Sequence, residues 1–570
     1  MIKKKILEDL KKAVAELGLS AGRQDYPDTD IVCNIPKNPQ FGDYSTNLAL
    51  QLAKLQSEKG KQSPLEIANE ILQKFDRPDY LEKAEVAGNG FINFFISDKQ
   101  LLKNAQDLDL LSQVEKPHKI LVEYGHTNPL KEIHIGHLRT FILGESLCRA
   151  FEALGDSVFR ANYQGDIGLH IAKAIWGIKK LGLPTADLTH EQKAEFLGKA
   201  YAEGNKEYDG NEEVKKEIDK INIALYKKDP EYKQVYDIAR KWSLEYFEPI
   251  YDLLGVKYDR CFFESEVYEN GKKIVLDNIG SPREAGKVFE KNDGAVIFPG
   301  EKFDLQTRVF ITSVGNPTYE AKEIGLAQLE YDSFNYDRSI HVVASEQEGY
   351  FQVVIKAIDS IFPYLKGKKY HLSYGVVDLK EGKMSSRTGS VITVDDLYHV
   401  VCEKVREVMK QTKVEIDQAV VKDVAMGAIK FSYLKFSPRS NMIFNLEESV
   451  SLDGDSGPYV QYTYARIQSV IRNSKKEAVY GEPQLEKPER MLLRELLYFQ
   501  ETVEQVKETL HPNTLTLYLV ELARAYNLFY QECRVIGSKK EEFRLKLSLE
   551  VGKVLKKGLA ILGIAAPEKM

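Results

Sequence analysis

A chain of 570 residues with 43% hydrophobic, 10% aromatic and 29% charged residues is too long for a single binding module and too rich in core-forming side chains for a disordered or fibrous protein. Its 79 basic residues against 85 acidic ones leave a formal net charge of −6, so any nucleic-acid partner must be held by local basic faces. The five cysteines, Cys33, Cys148, Cys261, Cys402 and Cys533, lie far apart and never form a C-x-x-C pair, which argues against disulfides and against a cysteine zinc site.

The opening stretch MIKKKILEDLKKAVAELGLS breaks its apolar residues with charges at helical spacing, unlike an export signal, and no later window approaches about 20 uncharged apolar residues. The expectation is a cytoplasmic protein without a membrane role. Residues 1–115 alternate helix and strand patterns and predict an α+β domain. Within it, Gly42-Asp43 is a turn leading into a helix with Leu48, Leu52 and Leu55 at i, i+4 and i+7. Ser63-Pro64-Leu65-Glu66 is a capping box with proline in the first turn, and GFINFF over residues 90–95 reads as a strand.

From Lys119 an apolar strand (ILVEY) leads through a loop into a long helix from His134 to Leu154, then to a second strand (VFRANY) and another helix. Repeated up to Val377, this pattern predicts a Rossmann-like, doubly wound parallel sheet over residues 116–380, with ligands beyond the carboxyl ends of its strands. Residues 184–245, dense in Lys and Glu and without strand signal, predict a helical insertion with a solvated face. A loop and connecting helices follow over 381–440. After about Val424 nearly everything reads helical, and residues 441–570, with periodic segments from Tyr459 and from Pro512, predict an all-α helical bundle. The expected fold class is α/β multidomain.

His134-Ile135-Gly136-His137 opens the long helix and puts two imidazoles at i and i+3 on one face. Gly136 removes a side chain where a nucleotide would lie against the backbone, and the helix start offers unpaired N–H groups to phosphate. The competing reading is two histidines that cap or pack at a helix start. The spacing is not that of an H-E-x-x-H metal pair. The second element, EGKMSSRTG at residues 381–389, presents Lys383, Ser385 and Ser386 between glycines. A lysine and hydroxyls there suit closure over a polyphosphate whose leaving oxygens gather charge; alone, the loop equally suits a solvated turn.

In this order the two elements resemble the HIGH and KMSKS signatures of class I aminoacyl-tRNA synthetases. More narrowly, VEYGHTNPLKEIHIGHLRT, GNPTYEAKEIG, KMSSRTG, SGPYVQYTYARI and the ending LGIAAPEKM resemble the arginyl-tRNA synthetases, and the likeness runs from Asn38 to Met570. The resemblance implies that the arginine carboxylate attacks the α-phosphorus of ATP, accompanied by Mg2+, giving arginyl-adenylate and pyrophosphate. Transfer to the 2′-hydroxyl of the terminal adenosine of tRNA(Arg) follows, and activation needs the tRNA. The resemblance assigns His134, Gly136, His137, Lys131, Lys383 and Ser385 to catalysis, with Lys131 compensating for Ser386 at the second lysine position of KMSKS. It adds Gly165, Asp166, Val377 and Met384 to the ATP site, and expects no zinc, no protein metal ligand and a monomer.

An arginine side chain stays protonated and presents five donors, so its pocket needs carboxylates, planar acceptors and an aromatic face. Glu123 and Asn128, beside the loop before His134, and Tyr319, Glu323 and Gln347, at predicted strand-to-helix turns, suit that task. The resemblance places Glu123 and Asn128 on the amino acid's polar groups, and Tyr319 and Gln347 on its side chain. For each, a satisfied polar residue ending a strand is the alternative. The pattern departs from the family at Tyr319-Glu320-Ala321-Lys322-Glu323, where Tyr-x-x-Arg-Asp is frequent, and at Ile167, where tryptophan is frequent. For RNA, Tyr459, Tyr462 and Arg466 share one helix face at i, i+3 and i+7 and offer stacking and charge. By resemblance this face meets the anticodon loop, Met570 matches a further contact, and Phe91 and Asn93 touch the D-loop region near the tRNA elbow; burial of these aromatics in their own cores is the alternative. A nucleotidyltransferase without RNA would not need the two end domains, and a silent RNA-binding relative would not need His134, His137 and Lys383.

Overall fold

The computed structural model describes residues 1–18, 31–55, 62–107, 110–113, 116–184, 186–280, 288–380, 392–410, 417–481 and 483–570. The chain divides into two compact units, one of residues 1–110, 470–499 and 524–554, the other of 111–469, 500–523 and 555–570.

In the first unit β1 (Tyr44–Thr46), β2 (Leu81–Ala87) and β3 (Phe91–Ile96) form an antiparallel sheet in the order β1-β3-β2. The capping box is formed: Ser63 Oγ accepts from Glu66 N at 3.2 Å and Glu66 Oε2 accepts from Ser63 N at 2.7 Å, opening the helix Pro64–Lys74. Gly90, in the β2–β3 turn, has φ 114°, and a Cβ there would lie 2.8 Å from Pro64 O, so only glycine fits. Stretches of the C-terminal third complete this unit. Arg490 donates to Asp43 Oδ2 at 3.1 Å, to Asp98 Oδ1 at 3.0 Å and to Ile96 O at 2.9 Å. The buried Glu489 is held by Arg544 at 2.8 Å and Lys540 at 3.1 Å.

In the second unit β4 (Lys119–Glu123), β5 (Ser157–Gln164) and β6 (Arg260–Phe263) are followed by a small antiparallel sheet of β7 (Glu290–Asn292), β8 (Ala295–Phe298) and β9 (Arg308–Ile311), and then by β10 (Arg338–Ala344) and β11 (Lys369–Tyr374). The expected parallel sheet has the order β11-β10-β4-β5-β6. The chain moves outward from β4 to β6 and then returns to the other side of β4, so the order reverses between β4 and β10, and a crevice opens there beyond the carboxyl ends. The β7–β9 excursion was not legible as such, because strands of three or four residues carry too little alternation. The same holds for β13 (Met442–Phe444), a strand within a stretch read as helical, which pairs in parallel with β12 (Val377–Leu379).

Helix Tyr319–Phe334 is seated against helix Glu264–Asp277 through glycines: a Cβ on Gly271 would lie 2.0 Å from Ala321 O, and one on Gly325 would lie 2.4 Å from Val267 O. Backbone contact of this kind fixes the helix that carries Tyr319 and Glu323. The insertion is helical as expected, with helices His190–Gly210, Glu212–Tyr226 and Pro230–Leu254 packed with Leu169–Leu181 around Ile171, Ile175, Leu197 and Ile218. No helix among the described residues is long and apolar enough to cross a membrane.

Candidate active site

A cleft of 560 Å³ opens at the switch between β4 and β10, and Glu123, Asn128, Tyr319, Glu323 and Gln347 all line it, together with Lys131 and Gly165. Local structure delivers each one. Glu123 ends β4, and Gln347 sits in the short 3-10 turn Ser345–Gln347 that follows β10. Asn128 Oδ1 accepts from Gly165 N at 3.1 Å, which ties the loop after β4 to the loop after β5. Tyr319 opens its helix and Glu323 follows one turn later on the same face.

Glu123 and Glu323 are buried, at 1% and 8% exposure. Burial pushes both carboxyls above the ordinary range, and for Glu323 the neighbouring Glu123 adds to the effect. Two cations near the cleft are paired: Lys322 Nζ lies 2.5 Å from Glu264 Oε2, and Arg308 lies 3.2 Å from Glu320 Oε1. Glu123 Oε2 has no hydrogen-bond partner among the described residues. Desolvated carboxylates in this condition favour a bound cation that brings its own donors. The Tyr319 ring, 58% exposed, supplies the aromatic face.

At the start of helix Ile135–Ala153, His134 Nδ1 accepts from Gly136 N at 3.1 Å and His137 Nδ1 accepts from His134 N at 3.2 Å, with the two rings 3.9 Å apart. The histidines therefore do cap the helix. Capping does not end their chemistry: an imidazole that accepts through Nδ1 is neutral and carries its proton on Nε2, a donor suited to phosphate oxygen. Burial lowers the pKa of both, that of His137 to about 3, so they stay neutral at physiological pH. A Cβ on Gly136 would lie 2.9 Å from His134 Cε1, which explains the glycine. The returning chain is pinned here as well, with Ile135 N donating to Ile392 O at 3.2 Å and Val394 N to Ile133 O at 3.3 Å. Lys383, Met384 and Ser385 lie outside the described residues; Val377 lies on β12.

Asp166 does not line the cleft. It is fully buried, with Oδ1 accepting from Ser265 N at 2.9 Å and Oδ2 from Ser265 Oγ, Tyr236 OH and Arg240 Nε at 2.7, 3.0 and 3.1 Å. Gly165 faces the cleft and the next side chain turns inward, where it anchors the insertion. Sequence reasoning missed His126, His170, Glu264, Arg308 and Tyr350 in the cleft wall, and Glu330, His341 and Lys369 beneath it. Only the charges of His341 and Lys369 inside otherwise strand-like runs signalled the last group.

In the first unit, Phe91 lines a 400 Å³ pocket with Phe41, Asn34, Asn47 and Asn93. Ile92 and Phe94 fill the core while Phe91 is 44% exposed, so core packing is not its role. Asn93 is buried, and its Oδ1 accepts from Ser45 Oγ at 2.7 Å. In the second unit, Tyr462 and Met570 share a small apolar pocket with Met409 and Pro458, and the Arg466 guanidinium lies 4.9 Å over the Tyr462 ring. Tyr459 and Tyr462 are half-buried.

Residues 99–446 match the family model described as tRNA synthetases class I (R), catalytic domain. Residues 1–96 match the arginyl tRNA synthetase N terminal domain, and residues 460–570 the DALR anticodon binding domain. The chain is 31% identical to the arginine–tRNA ligase of Bacteroides thetaiotaomicron, over 84% of this chain and 86% of that one. It is 30% identical to the arginine–tRNA ligase of Phocaeicola vulgatus, over 96% and 97%. The arginyl-tRNA synthetase structure of Thermus thermophilus superposes with a TM-score of 0.84 at 26% identity, covering 100% of both chains.

Proposed function

The chain belongs to the arginyl-tRNA synthetase family of class I synthetases, and on that premise we propose that the 560 Å³ cleft is where it binds and activates arginine. It is an arginine–tRNA ligase. The observation that carries the site assignment is the pair of buried carboxylates in the cleft, Glu123 and Glu323, neither held by a Lys or Arg ion pair among the described residues, while the neighbouring Arg308 and Lys322 are taken by Glu320 and Glu264. Arginine brings two cationic groups to match them. Tyr319 and Gln347 border the side chain, and Asn128 orients the polar head. Lys131 and the Nε2–H groups of His134 and His137 meet the ATP phosphates, stabilising charge that grows as the arginine carboxylate attacks the α-phosphorus and pyrophosphate leaves. Lys383 and Ser385 complete this set.

Mg2+ enters on the ATP phosphates. The buried acidic group nearest the cleft, Glu123, Glu330 and His341, does not suit it, because the Lys369 ammonium already lies 2.6 Å from Glu330 and 3.0 Å from His341. The 2′-hydroxyl of tRNA(Arg) then takes the arginyl group, with the Phe91 pocket receiving a splayed base near the elbow and the Tyr459, Tyr462, Arg466 and Met570 face meeting the anticodon loop. The enzyme works as a cytoplasmic monomer. Aminoacylation of total tRNA with each amino acid in turn tests the reading: arginine alone should be charged, and pyrophosphate exchange should need tRNA. Phe91→Ala should weaken tRNA binding by about 1 to 3 kcal/mol without changing the ATP KM; unaltered affinity in a filter-binding titration would remove Phe91 from the interface.

Arginine binding should also depend on pH. Burial pushes the Glu330 carboxyl up to about 7, where it faces Lys369 on β11, Glu123 on β4, His341 on β10 and Tyr336. A proton retained by this linked carboxyl group removes negative charge that the substrate cation needs. Below about pH 7 arginine must expel the Glu330 proton, and above it that carboxyl has none to expel. The arginine KM should therefore fall as pH rises from about 6 to about 8, by at most about tenfold per unit for one proton, while the ATP KM serves as control. A flat arginine profile would show that these carboxyls are already ionised.

A further inference from the structure

Beneath the cleft, a chain of buried polar side chains crosses three adjacent strands. The sheet register pairs His341 on β10 with Glu123 on β4, and Ser339 on β10 with Lys369 on β11. Two-residue periodicity puts Ser339 and His341 on one face, and the contacts follow. Lys369 Nζ lies 3.0 Å from His341 Nε2, Ser339 Oγ lies 3.2 Å from the same nitrogen, and His341 Nδ1 lies 3.2 Å from Glu123 Oε2. Glu330, two turns beyond Glu323 on helix Tyr319–Phe334, closes the group with its Oε2 2.6 Å from Lys369 Nζ. All five are buried, none above 7% exposure.

We propose that Lys369 and His341 are positioning residues that aim the Glu123 carboxylate at the cationic substrate; the inference rests on the assignment of Glu123 to the arginine site. An ammonium has only donors, so Lys369 makes His341 Nε2 an acceptor and leaves the imidazole proton on Nδ1. That nitrogen lies 3.2 Å from Glu123 Oε2, and neither atom has a hydrogen-bond partner among the described residues, which leaves each available to the other. The other carboxylate oxygen, Oε1, lies 3.4 Å from His126 Nδ1. An imidazole nitrogen thus flanks each oxygen of Glu123 where it lines the cleft, as second contacts around a ligand-holding group fix its rotamer.

The same chain sets the charge of the pocket floor. Glu123, Glu323 and Glu330 contribute three carboxylates when ionised, and Lys369 cancels one of them, leaving two for the guanidinium and the α-ammonium of arginine. Burial and the nearby Lys369 drive the His341 pKa well below its usual value, so the imidazole acts as a neutral donor and does not add a competing cation. A purely structural buried ion pair would require none of this alignment with Glu123.

The test uses the full-length enzyme in tRNA-dependent exchange, with separate KM values for arginine and ATP. His341→Leu should raise the arginine KM about tenfold with the ATP KM unchanged. His341→Asn, whose amide N–H falls near the Nδ1 position, should restore most of the loss. The double variant Lys369→Met with Glu330→Gln removes one charge of each sign, so it avoids an unpaired buried ion, and it should reproduce the His341→Leu effect by freeing the tautomer. A folded His341→Leu enzyme with the parental arginine KM would overturn the proposal, as would equal loss in the Leu and Asn variants. Glu123→Gln is the reference. If that change leaves the arginine KM untouched, the site assignment itself fails and the proposal goes with it; if it raises the KM while His341→Leu does not, only the positioning role is lost.

Discussion

Glu323→Gln should raise the arginine KM by about 30- to 150-fold, the equivalent of about 2 to 3 kcal/mol for a charge-assisted contact in a desolvated site. Glu323→Asp, although it restores the residue frequent in the family, should also impair arginine use. It withdraws the carboxylate by one carbon–carbon bond, and such a shift costs up to about 100-fold where geometry is tight. The structure removes the competing role for this residue. Thr318 occupies the N-cap position of helix Tyr319–Phe334, and Glu323 is the fifth residue of that helix, facing the cleft, so it cannot act as a helix cap. It also shows what accommodates the longer side chain: Lys322 is drawn away to Glu264 at 2.5 Å, and the glycine contacts at Gly271 and Gly325 fix the height of the helix. A second readout separates function from folding. Because burial and Glu123 push the Glu323 carboxyl up, removing its charge relieves like-charge crowding, and the Gln variant should melt no lower than the parent. Loss of arginine use together with a lowered melting temperature would point to scaffold damage; parental kinetics in both variants would leave the guanidinium to other acceptors.

Glu123, Asn128, Tyr319, Glu323 and Gln347 were legible because each sits near the point where a strand ends and a loop or helix begins, and such positions stand out in a sequence as polar residues after apolar runs. Glu123 after ILV and Gln347 after HVVASE are of this kind. The floor was not legible. His341 is 218 positions from Glu123, and their contact depends on the register of β10 against β4, which no local pattern encodes. Asp166 sits next to a glycine that does face the cleft, yet its side chain is fully occupied by Ser265, Tyr236 and Arg240, an arrangement that no local pattern signals. In the end regions, GFINFF was legible as a strand, whereas exposed Phe91 and buried Ile92 and Phe94 are told apart only by the packing of β3. The membership of Arg490 and Glu489 in the unit built around β1–β3 rests instead on ion pairs to distant residues, Asp43 lying 447 positions from Arg490.

The other large effect should come from Arg139, two residues beyond His137. It is 2% exposed, and its Nη2 donates to Ser437 O, Pro438 O and Ser440 O at 3.0, 2.9 and 2.8 Å. Pro438 O also accepts from Gly375 N at 2.9 Å, and Met442 N donates to Val376 O at 2.9 Å, at the start of the β12–β13 pair. A Cβ on Gly375 would lie 2.5 Å from the Ser440 backbone, so the two chains run in backbone contact. Tyr433 OH adds a bond to Ile135 O at 3.1 Å. The strand that leads towards the lysine-bearing segment is thereby tied to the helix whose start holds His134 and His137. Burial lowers the Arg139 pKa to about 10, so the guanidinium remains charged at neutral pH and its bonds keep their strength. Arg139→Met would take the donor from Ser440 O, at about 1 to 3 kcal/mol for a carbonyl left buried without a partner, while Pro438 O keeps Gly375 N and Ser437 O keeps Ser440 N. Arg139→Lys retains the charge on a shorter, unforked stem and should recover part of the stability. Neither variant touches the arginine cleft, so the arginine KM should hold in both while the exchange rate falls by about 100-fold, as expected when phosphate-binding parts are displaced by about an ångström. Thermal melts with exchange kinetics decide the matter: a stable Arg139→Lys enzyme with parental exchange would show that the anchor serves folding alone, because the tie to the helix start would then be dispensable for catalysis.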